Sequence, residues 1–393
     1  MSYKSVDQLA VAGKRVFLRV DFNVPRDKSD SSKILDDTRI REALPTIRYL
    51  LDQKAKLIIA SHLGRPKTKE TKYSLEPIAQ RLSELLGQDV IFPEDCIGDA
   101  VKKLALELKE GSVLLLENLR FHPEEEANDP NFAQSLAALA QVYVSDAFGV
   151  LHRAHASTAG MVSHFSEKGI GFLVAKEVQF LEKLSKNPAK PFYAVLGGAK
   201  VSDKIGLIEN LITKVDGVLL GGGLVYTFLK AQGIEVGKSL VETDKLHLAE
   251  RILEKAKNYG IPIYLPTDHV VASQLSADAQ TRIVTKVPID QMGLDIGPAT
   301  RTQYKDILRK AKTVFWNGPM GVFEIPAFAE GTLSIARAIA DSGAESVIGG
   351  GESVAAVQKS GVADQMTHLS TGGGATLEYL EGRELPGLKV LEV

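Results

Sequence analysis

The sequence predicts an α/β protein of two lobes, each a doubly wound parallel sheet with helices on both faces, joined by a bridging helix. Short apolar, β-branched runs alternate with amphipathic helical windows along the whole chain, which is typical of βαβ units. The chain has 393 residues, a length that favours more than one domain. The residues that follow the predicted strands also differ between the two halves, which indicates two kinds of ligand site.

The predicted strands are short, and a helical window separates most of them from the next. In the first half they cover residues 16–20, 57–60, 112–117 and 142–145. In the second half they cover residues 192–196, 217–220, 262–265, 313–316, 346–348 and 368–370. The window 176–185 has helical spacing and stops at Asn187 and Pro188, so we expect it to be the bridging helix. This gives an N-terminal domain of residues 1–173 and a C-terminal domain of residues 174–381, with a polar surface loop at residues 27–37.

Composition and charge exclude several classes of partner. The net charge is −2, so no overall field attracts nucleic acid or an anionic membrane. The one cysteine, Cys96, cannot form an internal disulfide, which fits a reducing compartment. The first residues lack the apolar core of a signal peptide, and the apolar stretches are too short to span a bilayer. We therefore expect a cytoplasmic protein that binds neither nucleic acid nor membrane.

Charged and hydrogen-bonding side chains follow the predicted strands of the first half. They are Asp21 and Asn23, His62 and Arg65, Arg120, and Asp146 with Arg153 further on. Ligands bind at the carboxyl ends of strands in doubly wound sheets, and arginine forks match the oxygens of carboxylates and phosphates. The set therefore favours a small anionic substrate, although any one of these residues alone is more often a solvated surface charge.

Two other chemistries find little support in the same region. His62, His152 and His155 could be metal ligands, but their spacing is not that of a His-Glu-x-x-His motif and no cysteine is near. A serine nucleophile is disfavoured because the chain lacks a Gly-x-Ser-x-Gly motif.

Glycines follow the predicted strands of the second half. They include Gly197–198, 221–223, 349–351 and 372–374. Lys200 and Lys204 are four residues apart, and we expect both on one side of the first turn of the next helix. Two cations there are unfavourable unless a polyanion offsets them, because they repel each other and face the positive end of the helix dipole. From this stretch alone, a phosphate site and a pair of solvated lysines are equally good interpretations.

Two late glycine runs shift the balance towards phosphate. Gly350 and Gly351 precede one helical window, and Gly372 to Gly374 precede another, so free backbone amides could hold phosphate oxygens. Glu352 stands where a carboxylate could bind Mg²⁺ together with those phosphates. The alternative for each run is tight packing between a strand and a helix, but two runs together with Lys200 and Lys204 favour phosphate.

Two sequence motifs that are typical of nucleotide-binding sites are incomplete or absent. The segment 232–239 resembles a P-loop, but Gln232 replaces its first glycine, so we interpret Lys238 as structural. No Gly-x-Gly-x-x-Gly follows the first strand of either half, which argues against a nicotinamide-dependent dehydrogenase.

An ordered series of motifs resembles the phosphoglycerate kinases. The segments are RVDFNVP at 19–25, SHLGRP at 61–66, LENLRF at 116–121, HRAHAS at 152–157, GGAKVSDK at 197–204, GLDIGP at 293–298 and WNGPMGVFE at 316–324, followed by the two late glycine loops. The resemblance implies a glycolytic kinase that transfers a phosphoryl group reversibly between 1,3-bisphosphoglycerate and ADP, giving 3-phosphoglycerate and ATP with Mg²⁺. It also implies direct in-line transfer after the lobes close, a monomer, and a tail, residues 382–393, that docks on the first lobe.

The resemblance also implies roles for individual residues. The 3-phosphoglycerate ligands would be Asp21, Phe22, Asn23, Arg39, His62, Leu63, Gly64, Arg65, Arg120 and Arg153. The nucleotide ligands would be Lys204, Gly293, Glu324, Gly350, Gly351, Glu352 and Ser353. The catalytic groups around the transferred phosphoryl would be Arg39, Lys200, Lys204 and Gly373. Glu352 would serve the metal, at a position where the family usually has aspartate.

Overall fold

The computed structural model describes residues 3–393, and these divide into two compact units. Unit 1 comprises residues 3–179 together with Glu384–Val393, and unit 2 comprises Phe180–Arg383. Each unit contains one six-stranded parallel sheet, which confirms the predicted α/β class. None of the helices formed by residues 3–393 is long and apolar enough to cross a membrane.

The sheet of unit 1 has the strand order β3-β4-β2-β1-β5-β6, and every neighbouring pair is parallel. Its strands are β1 (Arg15–Val20), β2 (Lys56–Ala60), β3 (Val90–Ile91), β4 (Val113–Leu115), β5 (Val142–Asp146) and β6 (Lys168–Ile170). The central strands are nearly continuous apolar runs because helices cover both faces of a parallel sheet. The edge strands β3 and β6 were not predicted, since they have only two and three residues.

The helices of unit 1 follow the strands and cover the sheet. They are α1 (Thr38–Asp52), α2 (Glu76–Leu86), α3 (Asp99–Glu107), α4 (Pro123–Glu126) and α5 (Pro130–Ala137). Helix α1 turns Ile40, Leu44 and Ile47 into the core, a spacing of three and four residues that places them on one face. Residues 27–37, predicted as a surface loop, form no helix or strand and are mostly exposed.

A single helix, α6 (Phe172–Lys186), contains the division between the units. It includes the whole predicted helical window and begins four residues before it. Its first turn is held by unit 1, since the Phe172 amide donates to Thr46 Oγ1 (2.9 Å) and the Val174 amide donates to Asp146 Oδ1 (3.1 Å). The predicted boundary after residue 173 falls at the second residue of this helix.

The sheet of unit 2 is parallel and has the order β15-β14-β13-β7-β8-β9. Its strands are β7 (Phe192–Leu196), β8 (Gly217–Leu220), β9 (Ile263–Tyr264), β13 (Thr313–Asn317), β14 (Glu345–Gly349) and β15 (His368–Leu369). Its helices are α7 (Ile205–Leu211), α8 (Leu224–Ala231), α9 (Leu246–Asn258), α10 (Pro298–Leu308), α11 (Glu330–Ser342), α12 (Gly351–Lys359) and α13 (Gly374–Leu380). The strand order reverses between β7 and β13, so the loops after these two strands flank the topological switch point, where ligands bind in such sheets.

Unit 2 also contains a three-stranded antiparallel sheet that the sequence did not predict. Its order is β11-β10-β12, with β10 (His269–Ala272), β11 (Arg282–Val284) and β12 (Met292–Ile296). Strand β11 is largely exposed and β10 carries a register shift, so neither has the continuous apolar run that marks the parallel strands. These strands are consecutive in the chain, but they are too short to show a clear alternation of apolar and polar residues.

The chain ends in unit 1. The short helix α14 (Pro386–Lys389) packs there through Leu388, which is 3% exposed, and the Gly387 amide donates to the Leu151 carbonyl (2.9 Å). Glu392 forms an isolated antiparallel bridge with Tyr3. The last residues of the chain are therefore part of the packing of unit 1.

Burial of Asp146 predicts a pH-dependent contribution to stability. Burial raises the pKa of Asp146 to about 7, against an ordinary value of 3.8. The folded state then holds a proton that the unfolded chain releases, so this contribution is complete below about pH 4 and is lost as the pH rises through 7. We expect Asp146→Asn to remove this dependence, so that the wild type loses on the order of 4 kcal/mol relative to the variant between pH 4 and 8.

Urea unfolding followed by circular dichroism at a series of pH values measures this difference. Asp52→Asn, which removes an exposed carboxylate at the end of α1, controls for the change in net charge. A stability difference between wild type and Asp146→Asn that stays constant over the whole range contradicts the assignment.

Candidate functional sites

An ion pair organises the polar residues that follow β1. Arg39 Nη1 donates to Asp21 Oδ2, and His62 Nδ1 lies 4.0 Å from Asp21 Oδ1. Burial by itself raises the pKa of Asp21, but nearby positive charge and the Asn23 amide outweigh it, so the pKa lies below its ordinary value. Asp21 is therefore an ionised carboxylate that orients the guanidinium of Arg39, whose side chain is 37% exposed.

Hydrogen bonds tie the loop after β1 to the loop after β2. Asn23 Oδ1 accepts from the Gly64 amide (2.9 Å), and Ser61 Oγ accepts from the Phe22 amide (2.8 Å). Phe22 and Leu63 were expected to contact substrate, but both side chains lie in the hydrophobic core of unit 1, at 0% and 4% exposure. A ligand at this edge could reach only their main chain.

The loop after β4 joins the same network through Arg120. Arg120 Nη1 donates to the Gly64 carbonyl (2.7 Å), and its Nε lies 3.1 Å from Glu126 Oε1. Asn118 Oδ1 accepts from the amides of both Leu63 (3.1 Å) and Arg120 (3.0 Å). Burial lowers the pKa of Arg120 to about 10, so the guanidinium is still charged near neutral pH.

The other two predicted arginines differ in how they are held. Arg153 is partly buried and its Nε donates to His152 Nε2 (3.2 Å). Arg65 is exposed, and within residues 3–393 no hydrogen bond or ion pair involves its side chain. Its five donors are therefore available to a ligand.

Sequence reasoning missed a buried arginine behind these residues. Arg19, in β1, is 1% exposed; its Nε donates to Ser157 Oγ (2.8 Å) and its Nη2 lies 3.4 Å from His62 Nδ1. Burial holds the pKa of His62 well below its ordinary value, so the ring is neutral. Since a guanidinium only donates, Nδ1 accepts and Nε2 carries the proton. The signal was an arginine inside an otherwise apolar strand.

In unit 2, the predicted loops meet at the switch point. Lys204 Nζ donates to Asn317 Oδ1, and Asn317 Nδ2 donates to the Gly349 carbonyl (2.6 Å). The Gly318 amide donates to Ser353 Oγ (2.7 Å), so the hydroxyl of Ser353 fixes the loop after β13. Gly350 has φ +89, and a Cβ there would lie 2.6 Å from Asn317 Nδ2, so only glycine fits. The loops after β7, β13 and β14 are thus joined.

The expected placement of the two lysines on one helical turn is wrong. Helix α7 begins at Ile205, with Lys204 at its N-cap, and Lys200 lies in the exposed loop before it. The Lys204 amide donates to the Val201 carbonyl (2.9 Å), so a tight turn separates the lysines before the helix starts. Burial lowers the pKa of Lys204 below its ordinary value, and the carboxylates of Asp203, Glu352 and Glu381 oppose this shift.

A cavity of about 490 Å³ lies beside this network in unit 2. Of the predicted nucleotide residues, Gly293, Glu324 and Glu352 line it. A Cβ at Gly293 would lie 1.7 Å from Tyr226 Oη, so the glycine keeps the wall open. Lys238, interpreted from the sequence as structural, also lines the cavity, and the failed P-loop motif was the only signal for it.

Much of the remaining cavity wall was missed by the sequence reasoning. It includes Tyr226, Leu240, Leu275, Met292, Leu294 and Pro319. These side chains come from α8, from the unpredicted antiparallel sheet and from loops. Each is of a residue type that is common in hydrophobic cores, so none stood out in the sequence. An apolar cavity with a few polar groups at its rim suits a flat ring joined to a polar chain.

Two further predicted residues lie at the N-terminal ends of helices in unit 2. Glu352 is exposed, lies at the start of α12 and lines the cavity, so its oxygens are free to bind a hard cation such as Mg²⁺. Gly373 has φ +52 with open space around the Cβ position, so the backbone conformation rather than crowding requires glycine. The backbone amide of the preceding residue, Gly372, donates to Ser370 Oγ (3.2 Å).

The histidine metal site considered as an alternative does not form. Among residues 3–393, the one cluster of three potential metal ligands is Asp95, Cys96 and His122, and it includes none of His62, His152 and His155.

Comparison with known proteins identifies a family that matches nearly the whole chain. The family model described as "Phosphoglycerate kinase" matches residues 6–383. Two curated relatives are a phosphoglycerate kinase of Anaeromyxobacter dehalogenans strain 2CP-C, 58% identical over 100% of both chains, and a cytosolic phosphoglycerate kinase of Triticum aestivum, 54% identical over 100% of this chain and 98% of the relative.

Solved structures agree in fold along nearly the whole chain. The phosphoglycerate kinase of Coxiella burnetii superposes with a TM-score of 0.90 at 42% identity, covering 99% of both chains. That of Pyrococcus horikoshii OT3 gives a TM-score of 0.86 at 37% identity, covering 98% of both. The resemblance seen in the sequence motifs is confirmed: the chain belongs to the phosphoglycerate kinase family.

Proposed function

We propose that unit 1 binds 3-phosphoglycerate or 1,3-bisphosphoglycerate and that unit 2 binds ATP or ADP. As a member of its family the chain is a phosphotransferase with a carboxyl group as acceptor, acting in glycolysis. The observation that carries the assignment within the chain is the contrast between the two sites. Arginines and a neutral histidine follow the strands of unit 1, whereas unit 2 has an apolar cavity lined in part by glycines, with the Lys204 network beside it.

The arginines of unit 1 suit a small molecule that carries a carboxylate and a phosphate. Arg39, Arg120 and Arg153 are already oriented by Asp21, Glu126 and His152, so little side-chain freedom is lost when they bind. Arg65 adds an exposed guanidinium with free donors. The protonated Nε2 of His62 and the carboxamide of Asn23 could donate to neutral oxygens of the same ligand.

The apolar cavity of unit 2 suits a purine base, and its rim suits the rest of a nucleotide. Glu324, which lines the cavity, could accept from ribose hydroxyls. Lys204 and the N-terminal end of α12, with Gly350, Gly351 and Ser353, could hold the phosphates. Glu352 would hold Mg²⁺ through one carboxylate oxygen, and the bound ion would neutralise phosphate charge.

The transferred phosphoryl needs neutralised charge and correct alignment more than a protein nucleophile. Substrate carboxylate and acyl phosphate react directly, so no side chain is required to form a covalent bond. We assign Arg39, Lys200, Lys204 and the amide of Gly373 to the oxygens of the group in transfer, as fixed positive charge and dipoles. In-line transfer after closure of the two units, which also excludes water, stays a prediction.

Two further predictions concern the oligomeric state and the cellular location of the protein. The monomeric state is a prediction from the family resemblance alone. The cytoplasmic location is also a prediction, supported by the cytosolic name of the Triticum aestivum relative and by the reducing environment that one unpaired cysteine fits.

Replacing Lys204 by alanine should lower kcat about 100- to 1,000-fold, the usual cost of removing a donor to a charge that develops in the transition state. The KM for 3-phosphoglycerate should change little, because that ligand is assigned to unit 1. Steady-state kinetics measure both constants, and Lys257→Ala on the exposed face of α9 is the control. Turnover close to that of the wild type would remove Lys204 from the mechanism.

Arg65→Ala should raise the KM for 3-phosphoglycerate about 10- to 100-fold, because one charge-assisted pair of hydrogen bonds is lost. The fold should be unaffected, since Arg65 is exposed and within residues 3–393 its side chain has no polar partner. Kinetics with varied 3-phosphoglycerate give the constant, with Arg48→Ala, another exposed arginine of unit 1, as control. An unchanged KM excludes Arg65 from the substrate site.

Glu352→Gln should raise the Mg²⁺ concentration needed for half-maximal ADP binding by about tenfold, because a neutral amide replaces the anionic ligand. Glu352→Asp keeps the charge and should stay close to the wild type. Calorimetric titration of ADP at several Mg²⁺ concentrations distinguishes the two variants. If the glutamine variant needs no more Mg²⁺ than the wild type, Glu352 does not hold the ion.

A further inference from the structure

Three side chains with metal-binding atoms meet in unit 1, outside the residues assigned to substrate. Asp95 and Cys96 lie in the loop between β3 and α3, and His122 is the N-cap of α4. A carboxylate oxygen, the Cys96 sulfur and a His122 ring nitrogen all lie within 4.8 Å of one another. His122 Nε2 is 2.7 Å from Asp95 Oδ1. Segments 26 residues apart in sequence therefore converge on one point.

We propose that Asp95, Cys96 and His122 form a binding site for a divalent transition metal of the zinc class, with water as the fourth ligand. Zinc takes a thiolate at about 2.3 Å and imidazole or carboxylate atoms at about 2.0–2.2 Å, so ligand atoms in a tetrahedral site lie roughly 3–4 Å apart. His122 Nε2 and Asp95 Oδ1 are 2.7 Å apart, and no pair among the three ligand atoms is separated by more than 4.8 Å, so side-chain shifts of about 1 Å satisfy this geometry.

The surroundings hold the ligands and leave room for water. The Cys96 amide donates to Asp95 Oδ1 (2.6 Å), and the ring of His122 packs against Phe132 with centroids 5.2 Å apart. Cys96 is fully buried, whereas the side chains of His122 and Asp95 are 24% and 45% exposed, so the fourth position faces solvent. Lys69 is a positive charge near Asp95, which would disfavour a bound cation, but its side chain is exposed and donates to the Glu94 carbonyl.

The chemistry of the three ligands separates this site from the nucleotide metal. Thiolate and imidazole favour zinc and related ions, whereas Mg²⁺ prefers an all-oxygen shell. Binding releases the thiol proton of Cys96 to solvent, and the imidazole coordinates through Nε2 with its proton on Nδ1. The bound ion would link the loop before α3 to the segment that carries Arg120, two residues before His122. This inference does not depend on the ligands assigned under the proposed function.

Cobalt titration of the full-length protein tests the proposal directly. The protein is treated with a chelator, freed of it, and titrated with Co²⁺ in the presence of excess Mg²⁺. Because Cys96 is the one cysteine in the sequence, a thiolate-to-cobalt charge-transfer band reports that residue alone. We expect the band to saturate at one equivalent, to persist in Mg²⁺ and to disappear when Zn²⁺ displaces cobalt. Absence of the band in the wild type overturns the proposal.

Variants identify the other ligands. His122→Asn and Asp95→Asn should each weaken cobalt binding at least about tenfold, and Cys96→Ser should abolish the band. His247→Asn removes an 86% exposed histidine of unit 2 and should bind like the wild type. Circular dichroism and kinase activity without transition metal verify the folding of each variant. Because two ligand residues are replaced separately, the test still works if one of the variants fails to fold. Unchanged affinity in a folded His122→Asn or Asp95→Asn protein also overturns the proposal.

Discussion

Hydrogen bonds between the loops that follow neighbouring parallel strands are the constraint on which both candidate sites depend. In each unit a buried asparagine makes these bonds. Asn118 accepts from the amides of Leu63 and Arg120 while its Nδ2 donates to the Leu63 carbonyl (2.8 Å). Asn317 accepts from Lys204 while donating to the Gly349 carbonyl. A carboxamide donates and accepts at once, so one side chain can fix two or three loops. The buried strands set where each loop begins, and the asparagines set where it goes.

The two units hold their cations in different ways. In unit 1, Arg39 is paired with the ionised Asp21 and Arg120 with Glu126. In unit 2, the hydrogen-bond partner of Lys204 is the neutral Asn317, and its carboxylate neighbours act only at longer range. A partly buried charge with a neutral partner is less stabilised than a paired one, since desolvation is not repaid by a counter-ion. Lys204 therefore has more to gain from an incoming phosphate than the paired arginines do, whereas the paired arginines are better oriented before a ligand arrives.

The success of sequence reasoning depended on how local the signal was. The central strands of both parallel sheets and helix α6 were predicted because an apolar run or a helical period lies within a few residues of chain. The antiparallel sheet was missed because its strands are short and partly exposed, and one of its pairings carries a register shift. Lys200 and Lys204 were misplaced because spacing alone cannot show that a turn delays the helix to Ile205. Arg19 stood out as an arginine inside an apolar strand, but its contact with His62 could not be read from the sequence. Tyr226 was missed because tyrosine is common in hydrophobic cores.

By itself, the sequence determined the fold class, the family and the chemical character of each strand end, because apolar periodicity, glycine placement and arginine placement are written along the chain. The tertiary structure alone decided which of those residues act together. It turned Phe22 and Leu63 into the core, coupled Arg19 to His62, enclosed a cavity with residues from seven separate segments, and brought Asp95 and Cys96 to His122. The physical reason is that burial and hydrogen-bond partnership depend on distances between segments remote in sequence, and no local pattern specifies those distances.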